Sequence, residues 1–395
     1  MSWQKSINNV ILFNFFNNMS FERVLWVVYL LNKNISLIEI GIIQSILSVS
    51  MFIFEFPTGF IGDRYGRRNS LFIGNFMILI YLIIFLFSNK FYQFSIGAIF
   101  YGVGLTFISG SNEALLYDNL KGLNKEDKYS ELISKINFIS ILGLLISIFL
   151  GGILERLSLD LLFIVGIIIR IITAFFIIFI TEYPYLVEDK KPVLIDTKAS
   201  IDFLKTNKIL SYLVLTSSLF VSFFSVYILF GQEILRNNGE SGLYDISMIY
   251  IYMYILGSII SLSYNKLVKL MRENLLILIN SLLILIFLSL SLFNKFNYYF
   301  IIFIVVGALY EINDITYNII INNLATSSLR ARIFSIYSLV TTIFMSFFSI
   351  VITYVLTNKP TNFNEYLFIM SGIILFISLI GIFRVKKGSI NYDKN

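Results

Sequence analysis

Neither cysteine nor histidine occurs among the 395 residues. Without cysteine there is no disulfide framework, no thiol nucleophile and no thiolate-bound zinc or iron–sulfur cluster. Without histidine the commonest metal ligand is missing, and any proton relay must run on carboxylates. Proline is scarce, at four residues, and no Ser- or Gln-rich tract accompanies it, which argues against disordered segments. Charge is scarce as well. Asp, Glu, Lys and Arg make up 14% of the chain, against about 25% in an ordinary soluble protein. What is present is apolar: 57% hydrophobic residues, 40 Phe, 24 Tyr and a mean hydropathy of +0.82. A soluble fold of this size cannot bury that much apolar surface and still cover itself with polar groups. A soluble enzyme is therefore excluded, and neither a metal site nor a cofactor is expected.

A bilayer-spanning helix needs about 20 mostly apolar residues. Twelve such intervals can be placed. In the first half they lie near 7–31, 36–61, 70–88, 92–119, 133–154 and 159–181. In the second half they lie near 209–235, 244–266, 274–293, 297–323, 332–357 and 363–384. The pattern does not alternate, so a β-barrel is not expected. The first interval is no cleavable signal peptide, because Asn14, Asn17, Asn18, Glu22 and Arg23 interrupt it.

Lysine and arginine test the count. With the N-terminus inside, 22 of the 30 fall in cytoplasmic segments, six in outside loops, and two (Arg23 and Arg170) within spans. The expected class is an all-α membrane protein with twelve transmembrane helices in two six-helix bundles, N-in and C-in. Residues 1–182 form the first bundle, 183–208 a cytoplasmic linker, and 209–395 the second bundle with a short cytoplasmic tail. The linker carries Pro184, Pro192 and five Lys. Its apolar residues suit a helix on the membrane surface, and a plain charged linker suits it equally. Two similar halves are common among secondary transporters.

The loop after the second span reads Gly59-Phe-Ile-Gly-Asp63-Arg64-Tyr-Gly66-Arg67-Arg68. It resembles the cytoplasmic signature of the major facilitator superfamily, G-x-x-x-D-R-x-G-R-R, at every specified position. Gly59 is expected to let its helix approach a neighbour, and Gly66 to permit a tight turn. Asp63 is expected to accept from Arg67 or Arg68, or to sit at the positive end of a helix. The resemblance implies a latch that helps set the conformational equilibrium. A degenerate copy, Ser261-Leu-Ser-Tyr-Asn265-Lys266-Leu-Val268-Lys269, follows 202 residues later and suggests an internal duplication. The fifth span carries Gly143, Ser147, Ile148, Gly151 and Gly152. This is similar to the G-x-x-x-G-P-x-x-G-G of drug/proton antiporters, but without its Pro. Small-residue helix packing explains the same glycines.

The resemblance also implies that spans 1, 4, 7 and 10 line a cavity. Polar residues spaced three, four, seven or eight apart share a helix face, and those spans carry such stripes. Span 1 has Asn14, Asn18 and Glu22; span 4 has Ser109, Glu113 and Tyr117. Span 7 has Ser218, Ser222, Ser225 and Gln232; span 10 has Glu311, Asp314, Asn318 and Asn322. The cavity residues proposed for substrate or proton are Asn14, Asn18, Glu22, Glu113, Tyr117, Ser222, Glu311, Asp314 and Asn318. Charges at membrane depth are usually paired or set in a watery cavity. Arg23 or Arg170 suits a structural partner for a carboxylate on another helix. Glu55 and Asp118 suit the latch region.

A carboxylate in a drying cavity favours its proton, and a nearby cation opposes it. That permits coupling without ATP, and no Gly-rich phosphate loop is present. The first expectation is proton-coupled efflux of small lipophilic or cationic compounds. The alternative is an uptake symporter or facilitator for a sugar or other small metabolite. A receptor or scaffold that has lost transport is a remote third, since the tails offer no partner-binding domain. The partners expected are a small-molecule substrate, protons and lipid, the last drawn to the cytoplasmic Lys and Arg. Nucleic acid is not expected, a monomer suffices, and a bacterial cytoplasmic membrane is the expected location.

Overall fold

The computed structural model describes residues 3–122, 125, 128–182, 207–238, 243–292, 299–324 and 330–392. The expected linker 183–208 lies outside the described residues except for its last two positions. Among the described residues, seven α-helices precede it: α1 (Trp3–Asn17), α2 (Trp26–Asn32), α3 (Leu37–Tyr65), α4 (Arg67–Phe87), α5 (Phe91–Lys121), α6 (Tyr129–Leu154) and α7 (Asp160–Ile178). Eight follow: α8 (Lys208–Leu229), α9 (Gly231–Asn237), α10 (Leu243–Leu262), α11 (Tyr264–Met271), α12 (Glu273–Leu290), α13 (Tyr299–Leu324), α14 (Arg330–Asn358) and α15 (Phe363–Tyr392). The chain divides into two compact units, the first holding α1–α7 and Leu243–Met248, the second the remaining described residues from Asn207 on.

Among the described residues, eleven helices are long and apolar enough to cross a membrane. The expectation was twelve, and the first span accounts for the difference. It is not one helix over 7–31 but two pieces, α1 and α2, separated by turns. Its own side chains explain the break. The Asn14 amide donates to the Val10 carbonyl at 2.8 Å, and the Asn18 amide to the Asn14 carbonyl at 2.9 Å. Short polar side chains that compete for backbone carbonyls weaken a helix from within. The seventh span is interrupted more briefly, at Phe230 between α8 and α9.

In the first unit α3, α4 and α5 pack side by side, α4 packs on α7, and α1 lies against α6 and α7. An aromatic cluster closes this core. Tyr29 meets Phe163 at 4.2 Å between ring centres, Phe85 meets Phe94 at 5.0 Å, and the Tyr29 hydroxyl donates to the Phe85 carbonyl at 3.0 Å. In the second unit α8 is the central helix, contacted by α13, α14 and α15. Its Phe220, Phe223, Phe224 and Tyr227 are fully buried. Large apolar side chains such as Phe72, Phe87, Phe175 and Phe347 remain exposed, as expected where the neighbour is lipid.

Two single residues join long helices at matching places. Gly66 separates α3 from α4 with φ +99° and ψ 143°, and Arg272 separates α11 from α12 with φ 60° and ψ 153°. The two turns lie 206 residues apart, four more than the motif copy suggested. The second half keeps the turn but not the glycine. A side chain in this region of backbone space costs of order 1–3 kcal/mol, and glycine adopts it freely. Arg272→Gly is expected to raise thermal stability, read as a higher unfolding midpoint of the detergent-solubilised protein. The matching Gly66→Ala is expected to lower it.

Candidate functional site

The loop between α3 and α4 is built from one ion pair and one borrowed cap. The Arg67 guanidinium pairs with Asp63 one turn earlier and reaches Asp118 of α5 at 4.0 Å. Arg67 thus clips the end of α3 to α5 through Asp118. Glu55 enters no ion pair among the described residues. Arg64 stays exposed, over the rings of Phe60 and Tyr65. The close approach expected of Gly59 belongs instead to Gly62. A Cβ on Gly62 would stand 2.9 Å from the Ser111 hydroxyl, whereas nothing lies within 4 Å of one on Gly59.

The first backbone N–H groups of α4 have no partners within the helix. Glu182, from the strand of chain after α7, supplies them. One carboxylate oxygen accepts from the Arg67 N–H at 2.6 Å and the other from the Arg68 N–H at 3.2 Å. The negative charge also suits the positive end of the helix. The chain leading to Glu182 is itself tied down. Asn9 donates to the Phe179 carbonyl at 2.8 Å, Arg68 to that of Ile180 at 3.4 Å, and Asn119 to that of Thr181 at 3.0 Å. Ser6 exchanges hydrogen bonds with the backbone of Thr181. Sequence reasoning missed Glu182, because nothing local to it signals a contact 115 residues away.

The proposed cavity residues fall into separate groups. In the first unit Asn14 of α1 and Asn112 of α5 exchange amide hydrogen bonds at 2.6 and 3.2 Å. Asn112 was not foreseen, since it stands one residue off the expected stripe. Ser109, Glu113 and Tyr117 do share the exposed side of α5, and Tyr117 stacks edge-on with Tyr129 at 5.5 Å. The face proposed for Asn14, Asn18 and Glu22 does not exist, because helical spacing ends at Asn17. Glu22 lies in the interruption and is buried, whereas Arg23 beside it is exposed.

In the second unit Ser218 and Ser222 are fully buried on α8, and Ser222 bonds back to the Leu219 carbonyl at 3.1 Å. Ser225 instead reaches α13, 2.8 Å from the Tyr310 hydroxyl. Glu311, Asp314, Asn318 and Asn322 form a half-buried stripe along α13. The Asn318 amide donates to the Asp314 carboxylate at 3.1 Å. Aromatic rings stand alongside: Tyr310 lies 6.2 Å from Phe220 and 6.4 Å from Phe224. The strip itself offers carboxylate and amide hydrogen-bond groups on one half-buried side of α13, while the rings beside it are buried.

The glycines of the fifth span serve packing. A Cβ on Gly143 would stand 2.5 Å from the Phe15 carbonyl oxygen, and one on Gly151 3.0 Å from that of Phe21. Ser147 between them donates to the Ser20 carbonyl at 3.4 Å. α6 therefore receives the backbone of α1 and of the interruption that follows it.

Broken and continuous membrane helices, polar stripes on α5 and α13, and a charged loop at α3–α4 define a membrane transporter. The family model of the Major Facilitator Superfamily matches residues 10–349, so the chain belongs to that superfamily. A Bacillus subtilis relative, the uncharacterized MFS-type transporter YxaM, is 27% identical over 134 residues, which is 34% of this chain and 33% of the relative. The match therefore spans about a third of that relative's length. Among solved structures the fold is similar to the nucleoside transporter NupG, with a TM-score of 0.79 and 13% identity over 96% of this chain and 99% of that one. It is also similar to a D-xylose-proton symporter, with a TM-score of 0.73 and 15% identity over 96% and 95%. A third is the POT family transporter PepTSo, with a TM-score of 0.76 and 12% identity over 99% of each chain.

The Glu182 cap has a measurable worth. Glu182→Ala leaves two N–H groups at the start of α4 without their acceptor. It is expected to cost about 1–2 kcal/mol, seen as a lower unfolding midpoint. Glu182→Gln, which keeps one acceptor and loses the charge, is expected to fall between the two.

Proposed function

We propose that the chain is a proton-coupled secondary transporter that takes up a small polar metabolite with a ring and several hydroxyls. It works by alternating access in a bacterial cytoplasmic membrane, as a monomer with both ends inside. The observation that carries this reading is the α13 strip. Asp314, buttressed by Asn318, sits on the same helix as Tyr310, whose hydroxyl meets Ser225 and whose ring lies beside Phe220 and Phe224. A carboxylate and an amide accept and donate to substrate hydroxyls, and Tyr310, packed on the buried Phe220 and Phe224, fixes the helix that presents them. The nucleoside and D-xylose transporters among the structural relatives are compatible with such a ligand, although the likeness itself is one of fold.

The second reading is efflux of amphipathic cations, because a carboxylate beside aromatic faces also attracts positive charge. Proteoliposomes under an imposed pH gradient separate the two. Labelled uridine and D-xylose, as probes of the hydroxylated ring classes, are expected to accumulate, and an uncoupler to abolish accumulation. Asp314→Asn is expected to lower the rate about tenfold or more, the worth of a charge-assisted hydrogen bond. Transport of ethidium alone would sink the uptake reading.

Orientation has its own test. Since the chain holds no cysteine, every introduced one is unique. Lys33→Cys and Lys90→Cys are expected to react with an impermeant maleimide in intact cells. Lys121→Cys and Lys387→Cys are expected to react only after permeabilisation.

A further inference from the structure

The short helix α11 joins two stretches able to cross a membrane, Asp245–Leu262 and Glu273–Leu290. A connection of so few residues between two spans has to lie at the bilayer surface. α11 has two unlike sides. Tyr264, Leu267, Val268 and Met271 are half-buried, and the helix packs on α12. Lys266, Lys269 and Leu270, spaced three and four apart, share the other, exposed side. Arg272 follows at the turn and is exposed as well. Leu262 and Leu270 flank these cations at 87% and 78% exposure, the highest of any large apolar side chain among the described residues. Leucines set that far out beside lysines suit an interface, where apolar chains enter hydrocarbon and the ammonium groups reach back to the headgroups.

The cations lack counter-charges. Among the described residues Lys266, Lys269 and Arg272 enter no ion pair, whereas Arg67 of the first unit reaches both Asp63 and Asp118. The neighbouring acid, Glu273, is half-buried and pairs with none of them within the same residues. Arg272 also keeps its side chain at φ 60°, where glycine would relieve the backbone. Strain of this kind gathers at ligand clamps, so the outlier points to a use for the guanidinium itself.

We propose that α11 and Arg272 form a binding surface for anionic phospholipid headgroups. The bilayer then supplies the second unit with the negative charge that Asp63 and Asp118 supply in the first. The planar fork of Arg272 suits two oxygens of one phosphate. Lys266 and Lys269 extend the positive surface along the helix, and each adds attraction to an anionic leaflet. Leu262 and Leu270 enter the acyl region beside the headgroup they help to seat. The bound lipid holds the strained turn between α11 and α12, which explains why an arginine stands where a glycine would be more stable.

The test uses the full chain carrying Leu270→Trp, reconstituted in bilayers of phosphatidylcholine and phosphatidylglycerol, with the parent's Trp3 and Trp26 as background. Quenching by brominated-acyl phosphatidylglycerol is compared with quenching by brominated-acyl phosphatidylcholine at equal mole fraction. The anionic lipid is expected to be preferred about fivefold or more, the effect of one cation near an anionic surface. Raised salt is expected to weaken the preference. Lys266→Gln, Lys269→Gln and Arg272→Gln together are expected to abolish it, and Arg272→Lys to keep part of it. Should the triple variant not fold, Lys269→Gln alone carries the test through a smaller loss. Neutralising Lys121, Lys125 and Lys128 to Gln instead is expected to leave the preference unchanged, which separates a local surface from net charge. Arg272→Gly separates strain from binding. It is expected to raise the unfolding midpoint in detergent, yet to lose part of the further rise that added phosphatidylglycerol gives the parent. Equal quenching by the two lipids, or a preference that the triple variant retains, overturns the proposal. Weak quenching by both overturns it too, because another part of the chain then covers α11.

Discussion

A helix end inside a membrane protein must find its hydrogen-bond partners in other helices, because hydrocarbon supplies none. The first unit is organised around that demand. The C-terminal carbonyl of α1 takes its donors from Arg170 on α7. The N-terminal amides of α4 take their acceptors from Glu182, just after α7. The carbonyls between Phe179 and Thr181 take their donors from α1, α4 and α5. Each tie joins elements far apart in sequence, and α7 or its extension takes part in all of them. It is the member to which α1 and α4 are secured at their ends.

The same demand explains where the two halves diverge. Both place a single residue of positive φ between their second and third long spans. In the first half that residue is Gly66, and a Cβ there would stand 2.9 Å from Glu182 Oε2. The glycine therefore meets two needs at once, a backbone shape and room for the cap. In the second half Arg272 adopts a similar backbone shape with a side chain attached. The motif's residues and its geometry are thus separable. The turn persists where, 206 residues on, every specified residue of the signature is replaced, by Asn265, Lys269, Leu270, Arg272, Glu273 and Asn274.

Much of this was legible in the sequence because it depends on local rules. Long apolar runs mark spans, the spacing of Glu311, Asp314 and Asn318 marks one side of a continuous helix, and Gly66 in a charged loop marks a turn. The unread part depends on contacts or on failed assumptions. Helical spacing placed Asn14, Asn18 and Glu22 on one face, but the helix stops at Asn17, so Glu22 turns to α7 instead. Five polar or charged residues between Asn14 and Arg23 were visible as an interruption, and their cost to the helix was underweighted. Asn112 and Glu182 carry no pattern of their own. Each is recognisable only once its partner is placed. The glycines of α6 left two readings open, an antiporter-like motif and helix packing, and what they pack against is the backbone of α1 and of the interruption.

The absence of histidine gains meaning from this arrangement. With carboxylates as the available proton carriers, their settings must differ if they are to do different work. They do differ: Glu22 is buried in the interruption of the first span, within the field of Arg170, Asp314 is half-buried against an amide, and Glu113 is exposed on α5. A group beside a fixed cation responds to that cation's position. A group beside a neutral amide responds mainly to what enters its surroundings. The first suits sensing a rearrangement of helices, and the second suits sensing a ligand. The proposed coupling asks for both kinds of response within one chain, and carboxylates in unlike environments are where a chain without histidine would have to find them.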